Sequence, residues 1–160
     1  MARQVHIIDR SQDEHFMRLA MAQAAEGASL GEVPVGAVLV KAGEVIGVGF
    51  NQPISLHDPS AHAEVQAIRR AALAEHNYRL PGSTLYVTLE PCSMCAGLLV
   101  HARIARVVYG ATEPKAGVAV SRGQFFSQDF LNHKVLVEGG VLAAECSEML
   151  SAFFAQRRRQ

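Results

Sequence analysis

The chain has 160 residues, 49% of them hydrophobic and 19% charged, with 15 basic side chains balanced by 15 acidic ones. This composition excludes a disordered chain, and the length predicts a single domain over residues 1–160 that buries a core without disulfides. Apolar runs are much shorter than the roughly 18 residues of a membrane-spanning helix, and residues 1–6 lack the apolar stretch of a signal peptide. We therefore expect a cytoplasmic protein without membrane association, and we assign no role to its N-terminal residues 1–12.

Hydrophobic periodicity alternates between helix and strand along the chain, which is typical of an α/β layer fold. Ser11 followed by Glu14 has the spacing of a capping box and predicts a first helix that ends near Ala25. The further elements predicted from periodicity are, in chain order, strands at 35–40 and 45–50, a helix at 63–75, a strand at 84–89, a helix at 92–101, strands at 104–109 and 134–138, and a helix from 141 onward. The longest predicted loop is 110–123.

The C-terminal part of the chain is basic. Residues 101–160 carry 8 basic and 5 acidic side chains, and residues 157–159 are three consecutive arginines. Such a run is either a solvated tail or a contact for a polyanion, and the run alone does not distinguish the two.

Three cysteines are too few for a disulfide framework, so the closely spaced Cys92 and Cys95 indicate metal or redox chemistry. Their spacing puts both side chains on one face at the start of a predicted helix, where they can share one metal ion. A thioredoxin-type redox pair has the same spacing, but Cys92 follows neither a basic nor an aromatic residue. A structural zinc site needs two further ligands, and Cys146 lies on the apolar stripe of the last helix, as core residues do.

His62 is the best candidate for a third metal ligand, because it begins another predicted helix. One nitrogen and two thiolates leave the fourth position of a tetrahedral zinc site open to water, which is typical of catalytic zinc. Zinc lowers the pKa of that water toward about 7, so hydroxide forms at neutral pH. Glu64, two residues after His62, can accept the water proton and pass it to a substrate. The alternatives are an ordinary core or surface histidine, and a carboxylate that serves only the helix dipole.

His62-Ala63-Glu64 together with Pro91-Cys92-x-x-Cys95 resembles the signature of the zinc-dependent nucleoside and nucleobase deaminases. The segments that are similar to the bacterial tRNA-specific adenosine deaminases within that superfamily are 32–37, 57–64, 84–92 and 103–111. The resemblance covers roughly residues 13–158. It therefore extends over most of the chain.

The resemblance implies a three-layer α/β/α fold of the cytidine deaminase type, with a central five-stranded mixed sheet. It also implies a homodimer, with one zinc ion per subunit and active sites near the subunit interface. The implied reaction is hydrolytic deamination of the wobble adenosine of a tRNA anticodon to inosine, by zinc-activated hydroxide and a glutamate proton shuttle. The implied site residues are the zinc ligands His62, Cys92 and Cys95, the shuttle Glu64, and Asn51, Val35 and the backbone of Ala63 around the flipped adenine.

Single-stranded RNA loops are held by aromatic stacking and phosphate contacts. The last predicted helix offers both kinds of group, in Phe154 and Arg157. In the long loop the family often has an aspartate before Ala-Lys or Pro-Lys, where this chain has Glu113-Pro114-Lys115. This departure keeps the charge on a longer side chain. We therefore expect Glu113, Lys115, Phe154 and Arg157 to contact the tRNA anticodon stem-loop.

Two other functions stay open at this point. The first keeps the zinc chemistry but acts on a free base or nucleoside, such as guanine or cytosine. Salt distinguishes this alternative, because phosphate contacts make RNA processing fall steeply with ionic strength while a neutral nucleoside responds weakly. The second is a noncatalytic subunit that binds tRNA or a protein partner and holds zinc for structure, although the sequence lacks none of the catalytic groups.

Overall fold

A computed structural model describes residues 10–159. Within this range, helices α1 to α4 span Arg10–Ser29, Ala63–Glu75, Ser93–His101 and Ala143–Arg158. Strands β1 to β5 span Gly36–Lys41, Glu44–Phe50, Ser83–Leu89, Arg106–Ala111 and Leu136–Glu138. Most of the N-terminal segment 1–12, to which the sequence assigns no role, lies outside the described residues, and so does the last residue of the basic end.

The five strands form one sheet in the order β2-β1-β3-β4-β5. β1 pairs antiparallel with β2 and β3, whereas β3, β4 and β5 run parallel. Side chains alternate along each strand, so Val38 and Val40 pack with α1 while Ala37 and Leu39 pack with α2. Cys146 of α4 joins the α1 side, and Leu99 of α3 joins the α2 side. The three-layer α/β/α fold with a mixed five-stranded sheet is thus confirmed.

No helix among residues 10–159 is both long enough and apolar enough to cross a membrane.

Helix α1 differs from its prediction at both ends. Ser11 lies inside the helix rather than at its N-cap, so the capping-box assignment is wrong. The helix also continues to Ser29 instead of ending near residue 25. The amide of Glu32 donates to the carbonyl of Gly27 at 3.1 Å, which closes the helix with a turn just beyond Ser29. The chain leaves the helix at Gly31, whose φ of +82° is the left-handed conformation that favours glycine.

Strand β4 begins two residues later than periodicity predicts. The amide of Ile104 donates to the carbonyl of Leu99, so Ile104 still belongs to the turn that ends α3. Arg103, with φ of +60°, completes this turn. Strand pairing therefore starts at Arg106.

Two glycines in β2 let α2 approach the sheet closely. A Cβ atom at Gly49 would lie 2.6 Å from the amide nitrogen of Ala67, and one at Gly47 would collide with the carbonyl of the same alanine. Backbone therefore meets backbone at this point. Since His62 and Glu64 stand at the start of α2, this contact helps to fix where both side chains lie.

A buried ion cluster ties α1 to the far edge of the sheet. Arg106 donates two hydrogen bonds to the carboxylate of Asp13, at 2.9 and 2.7 Å, and two to Glu138, at 3.2 and 2.9 Å. Tyr86 donates its hydroxyl to Asp13 at 2.7 Å. Burial alone would raise the pKa of Asp13, but the bonds from Arg106 and Tyr86 outweigh it and hold the pKa below its usual value.

Asp13→Asn should therefore destabilise the protein. Removing one partner of a buried ion pair costs about 3–5 kcal/mol, and we expect the lower end because Arg106 keeps Glu138. A carboxylate with a lowered folded-state pKa stabilises the fold above its unfolded pKa, about 3.9 for aspartate, and that stabilisation is lost as the pH falls through the folded value. Urea unfolding of both proteins at pH 7 and near pH 3 measures the difference, and a gap that does not shrink at low pH would contradict this role.

Candidate active site

The side chains of the predicted metal ligands meet at the starts of two neighbouring helices. His62 is the N-cap residue of α2, and Cys92 is the N-cap residue of α3. Both have extended backbones, and neither side chain caps its helix. Cys95 lies one turn into α3 and is fully buried. The helix starts thus direct one imidazole and two thiols toward a common point.

The spacing of these side chains fits a tetrahedral zinc ion. His62 Nδ1 lies 3.6 Å from Cys92 Sγ and 3.5 Å from Cys95 Sγ, and the three ligand atoms lie within 4.8 Å of one another. Zn–N and Zn–S bonds of about 2.05 and 2.3 Å at the tetrahedral angle separate the two ligand atoms by about 3.6 Å. The donor set and the distances therefore match one zinc ion with a fourth position free for another ligand.

The pKa values of the two thiols are shifted in opposite directions. Hydrogen bonds with Cys95 and His62 lower the pKa of Cys92 to about 3, although burial opposes this shift. The hydrogen bond with Cys92 and burial raise the pKa of Cys95 above its usual range. A metal ion bound between the sulfurs would favour the thiolate form of both cysteines.

Glu64 is a buried carboxyl group two residues after His62. It lies in the first turn of α2 and is only 4% exposed. Burial raises its pKa above the usual value for glutamate. A buried carboxyl group beside a metal centre can accept and return a proton, as general acid–base chemistry requires.

A cavity of about 240 Å³ opens onto these groups. It is lined by polar, apolar and metal-binding residues from five parts of the chain: Val33, Val35, Asn51, His62, Glu64, Leu89, Glu90, Cys92, Glu113 and Ala116. Asn51 and Val35, which the sequence predicts to hold the base, therefore lie in one cavity with the proposed ligands. The side chain of Ala63 faces the other way, into the core.

The residues predicted to contact RNA occupy two places. Glu113 lies in the cavity wall, and its carboxylate accepts a hydrogen bond of 2.9 Å from the amide of Lys115. Phe154 and Arg157 lie on α4 and are not among the residues that line this cavity. Phe154 is 44% exposed, while the guanidinium of Arg157 stacks over the ring of Phe153 at 4.7 Å and donates to the carbonyl of Gly31.

Glu90 is a cavity residue that the sequence analysis does not single out. It is 3% exposed and directly precedes Pro91 and Cys92. Burial alone would raise its pKa, but hydrogen bonds from Ser121, Val120 and Glu113 lower the pKa below its usual value. The only sequence signal is a charged residue at the end of a strand that otherwise reads as buried.

Comparison with known proteins agrees with this geometry. Residues 10–111 match the family model of the cytidine and deoxycytidylate deaminase zinc-binding region. A protein of Haemophilus influenzae named tRNA-specific adenosine deaminase is 52% identical over 149 residues, covering 92% of this chain and 86% of that protein. A protein of Agrobacterium fabrum with the same name is 46% identical over 144 residues, covering 90% of this chain and 95% of that protein.

A solved structure from a study of A-to-I editing by tRNA:A34 deaminases at the wobble position of transfer RNA is also similar. It superposes with a TM-score of 0.83 and 47% sequence identity, covering 85% of this chain and 99% of the other. The match to the family model and the full-length relatives lead to one conclusion. The chain belongs to the zinc-binding cytidine and deoxycytidylate deaminase family and, within it, to the tRNA-specific adenosine deaminases.

Proposed function

We propose that this protein hydrolyses the wobble adenosine of a tRNA anticodon to inosine. The observation that carries the proposal is that the buried Glu64 lines one cavity with His62 and Cys92, two members of the His/Cys/Cys group. The names and full-length similarity of the relatives support RNA, rather than a free nucleoside, as the substrate. We further propose that the chain acts as a single domain, as a homodimer and in the cytoplasm.

His62, Cys92 and Cys95 would hold the metal, with one thiolate already favoured at Cys92. Zinc held there would act as a Lewis acid and make hydroxide available at neutral pH. Glu64 takes a proton from the attacking water and delivers it to a ring nitrogen of the adenine. A second proton transfer through Glu64 accompanies the break of the bond between carbon and the amino nitrogen. One water is consumed and one ammonia leaves, so the atoms balance.

The cavity walls suit a flipped purine. Val33, Val35 and Leu89 supply apolar surface for the ring, and the Asn51 side chain supplies an amide for its polar edge. The backbone amide of Asn51 donates to the backbone carbonyl of Val35 at 3.0 Å, which fixes the two residues relative to each other. The free energy needed to unstack a base is lowest in a single-stranded loop, which agrees with an anticodon substrate. We assign base contacts to Asn51, Val35 and the backbone of Ala63.

Nucleoside analysis by mass spectrometry tests the proposal. The zinc-loaded protein is incubated with an anticodon stem-loop that carries wobble adenosine and, separately, with free adenosine, cytidine and guanine. We expect inosine from the stem-loop alone. Deamination of a free compound alone would move the substrate to the nucleosides or bases. No product from any substrate, with zinc bound and the stem-loop retained, would indicate a binding subunit.

Phe154→Ala should weaken stem-loop binding while leaving the fold intact. Its exposed ring can stack on a base, and such stacking contributes about 1–3 kcal/mol per base, or about a fivefold to hundredfold change in KM. Tyr78→Ala is the matched control, because Tyr78 is also exposed but lies beyond the far end of α2 from His62. Steady-state kinetics give KM for both variants. An equal rise of KM in the two variants, or no rise in Phe154→Ala, would contradict the RNA contact.

A further inference from the structure

The carboxylate of Glu90 is the centre of a dense set of hydrogen bonds from a loop far along the chain. Oε1 accepts from the amide of Glu113 at 3.0 Å and from the hydroxyl of Ser121 at 2.5 Å. Oε2 accepts from the amides of Val120 and Ser121 at 2.9 and 3.0 Å. Four donors from the segment 113–121, defined here as the wall loop, thus converge on one buried side chain.

The wall loop also closes around the backbone next to Glu90. The amide of Val118 donates to the carbonyl of Pro91 at 3.0 Å, one residue before Cys92. Gly117 passes so close that a Cβ atom there would lie 2.6 Å from Glu90 Oε1. Both ends of the loop and its middle are therefore held against the turn that leads into α3.

The same loop forms one side of the cavity. Glu113 and Ala116 line it, together with Asn51 and Val35. The hydrogen bonds described above attach the wall loop to Glu90 and Pro91. The metal-binding side chains have different supports, because His62 and Cys92 are held by the starts of α2 and α3.

We propose that Glu90 is a positioning residue that holds the wall loop in its substrate-facing conformation and so sets the affinity for the RNA substrate. This inference rests on the proposed function, because it concerns the wall of the same cavity. Glu90 acts through Glu113 and Ala116 rather than on the reacting atoms. Its role therefore differs from that of Glu64, which handles the protons.

Glutamine cannot replace this carboxylate, even though it has nearly the same shape. A glutamine side chain has one accepting oxygen, and its NH₂ group would face two of the donors now bound by the second carboxylate oxygen. Unpaired buried donors are costly, so the loop would leave this conformation. A Cβ at residue 117 would push the loop away from the same carboxylate from the other side.

The test compares Glu90→Gln with the wild type on the stem-loop, with rates normalised to bound zinc. We expect full zinc content, KM raised at least tenfold and kcat within threefold of wild type. Amide hydrogen exchange at residues 113, 120 and 121 should become faster, because these amides lose their acceptor. Gly117→Ala should also raise KM while leaving kcat nearly unchanged. The KM of the double variant should not exceed that of the more affected single variant, because both changes break the same contact.

Asp13→Asn is the matched structural control, since Asp13 is an equally buried carboxylate in a hydrogen-bonded cluster outside the cavity. We expect it to lower stability and leave KM unchanged. An unchanged KM or unchanged exchange in Glu90→Gln would overturn the positioning role, and so would an equal KM shift in Asp13→Asn.

The two proposals fail in different ways. If the wild type makes no inosine, the proposed function fails. The role of Glu90 is then judged by amide exchange and by stem-loop binding, measured by fluorescence anisotropy. If the wild type makes inosine and Glu90→Gln binds the stem-loop as tightly as wild type does, only the role of Glu90 fails.

Discussion

Glu64→Gln should retain zinc and lose nearly all deamination. The glutamine keeps the size of the side chain but cannot accept the water proton, and positioned proton transfer is worth a factor of about 100 to 10,000 in rate. Single-turnover inosine formation on the stem-loop, with zinc measured in the same sample, gives both quantities. Because the side chain is only 4% exposed, a same-shaped replacement also leaves the packing around it intact.

Glu75→Gln is the matched control on the same helix. Glu75 ends α2 and makes a partly exposed ion pair with Lys41 at 3.7 Å, far along the helix from His62. This variant should deaminate at the wild-type rate. Turnover by Glu64→Gln close to that of Glu75→Gln would show that another group carries the protons.

Cys92→Ala should abolish both metal binding and activity. It removes one of the three ligand atoms, and with it one of the two thiolates that would bind zinc. The remaining imidazole and thiol supply only two ligands, fewer than the three protein ligands of catalytic zinc sites. Metal analysis after dialysis should give close to no zinc per chain, and inosine formation should fall to the background of the assay.

Cys146→Ala separates ligation from the general effect of losing a cysteine. Cys146 is buried between α4 and the sheet, where it contacts Gly110 rather than the metal-binding group. Burial raises the pKa of this thiol to about 11, so it stays protonated. The variant should lose some stability but keep zinc and turnover, and loss of zinc in both variants would contradict the ligand assignment.

Local sequence patterns predict most of the fold. Helix α2 has its predicted bounds because its apolar residues recur at helical spacing and His76, at φ of +52°, ends it sharply. The prediction is less accurate where the hydrogen bonds of a helix-ending turn decide the boundary. The end of α1 depends on the turn between Gly27 and Glu32, and the start of β4 depends on a hydrogen bond between Ile104 and Leu99.

The candidate site divides in the same way. His62, Cys92 and Cys95 can be predicted as a set because their spacing within two helix starts reflects the chemistry of one metal ion. The role of Glu90 cannot be predicted from spacing, because its four hydrogen-bond donors lie 23 to 31 positions further along the chain, in a loop without periodicity. Only the folded chain shows that these donors share one acceptor.

The close approach of α2 to β2 has a consequence for how this enzyme can change over generations. Gly47 and Gly49 meet neither metal nor base, yet the position of two reactive side chains depends on the absence of any side chain at both glycines. Natural selection for the reaction therefore also acts on these two glycine positions of β2. The part of the gene in which a single base change can cost activity is larger than the codons of the residues that touch the substrate.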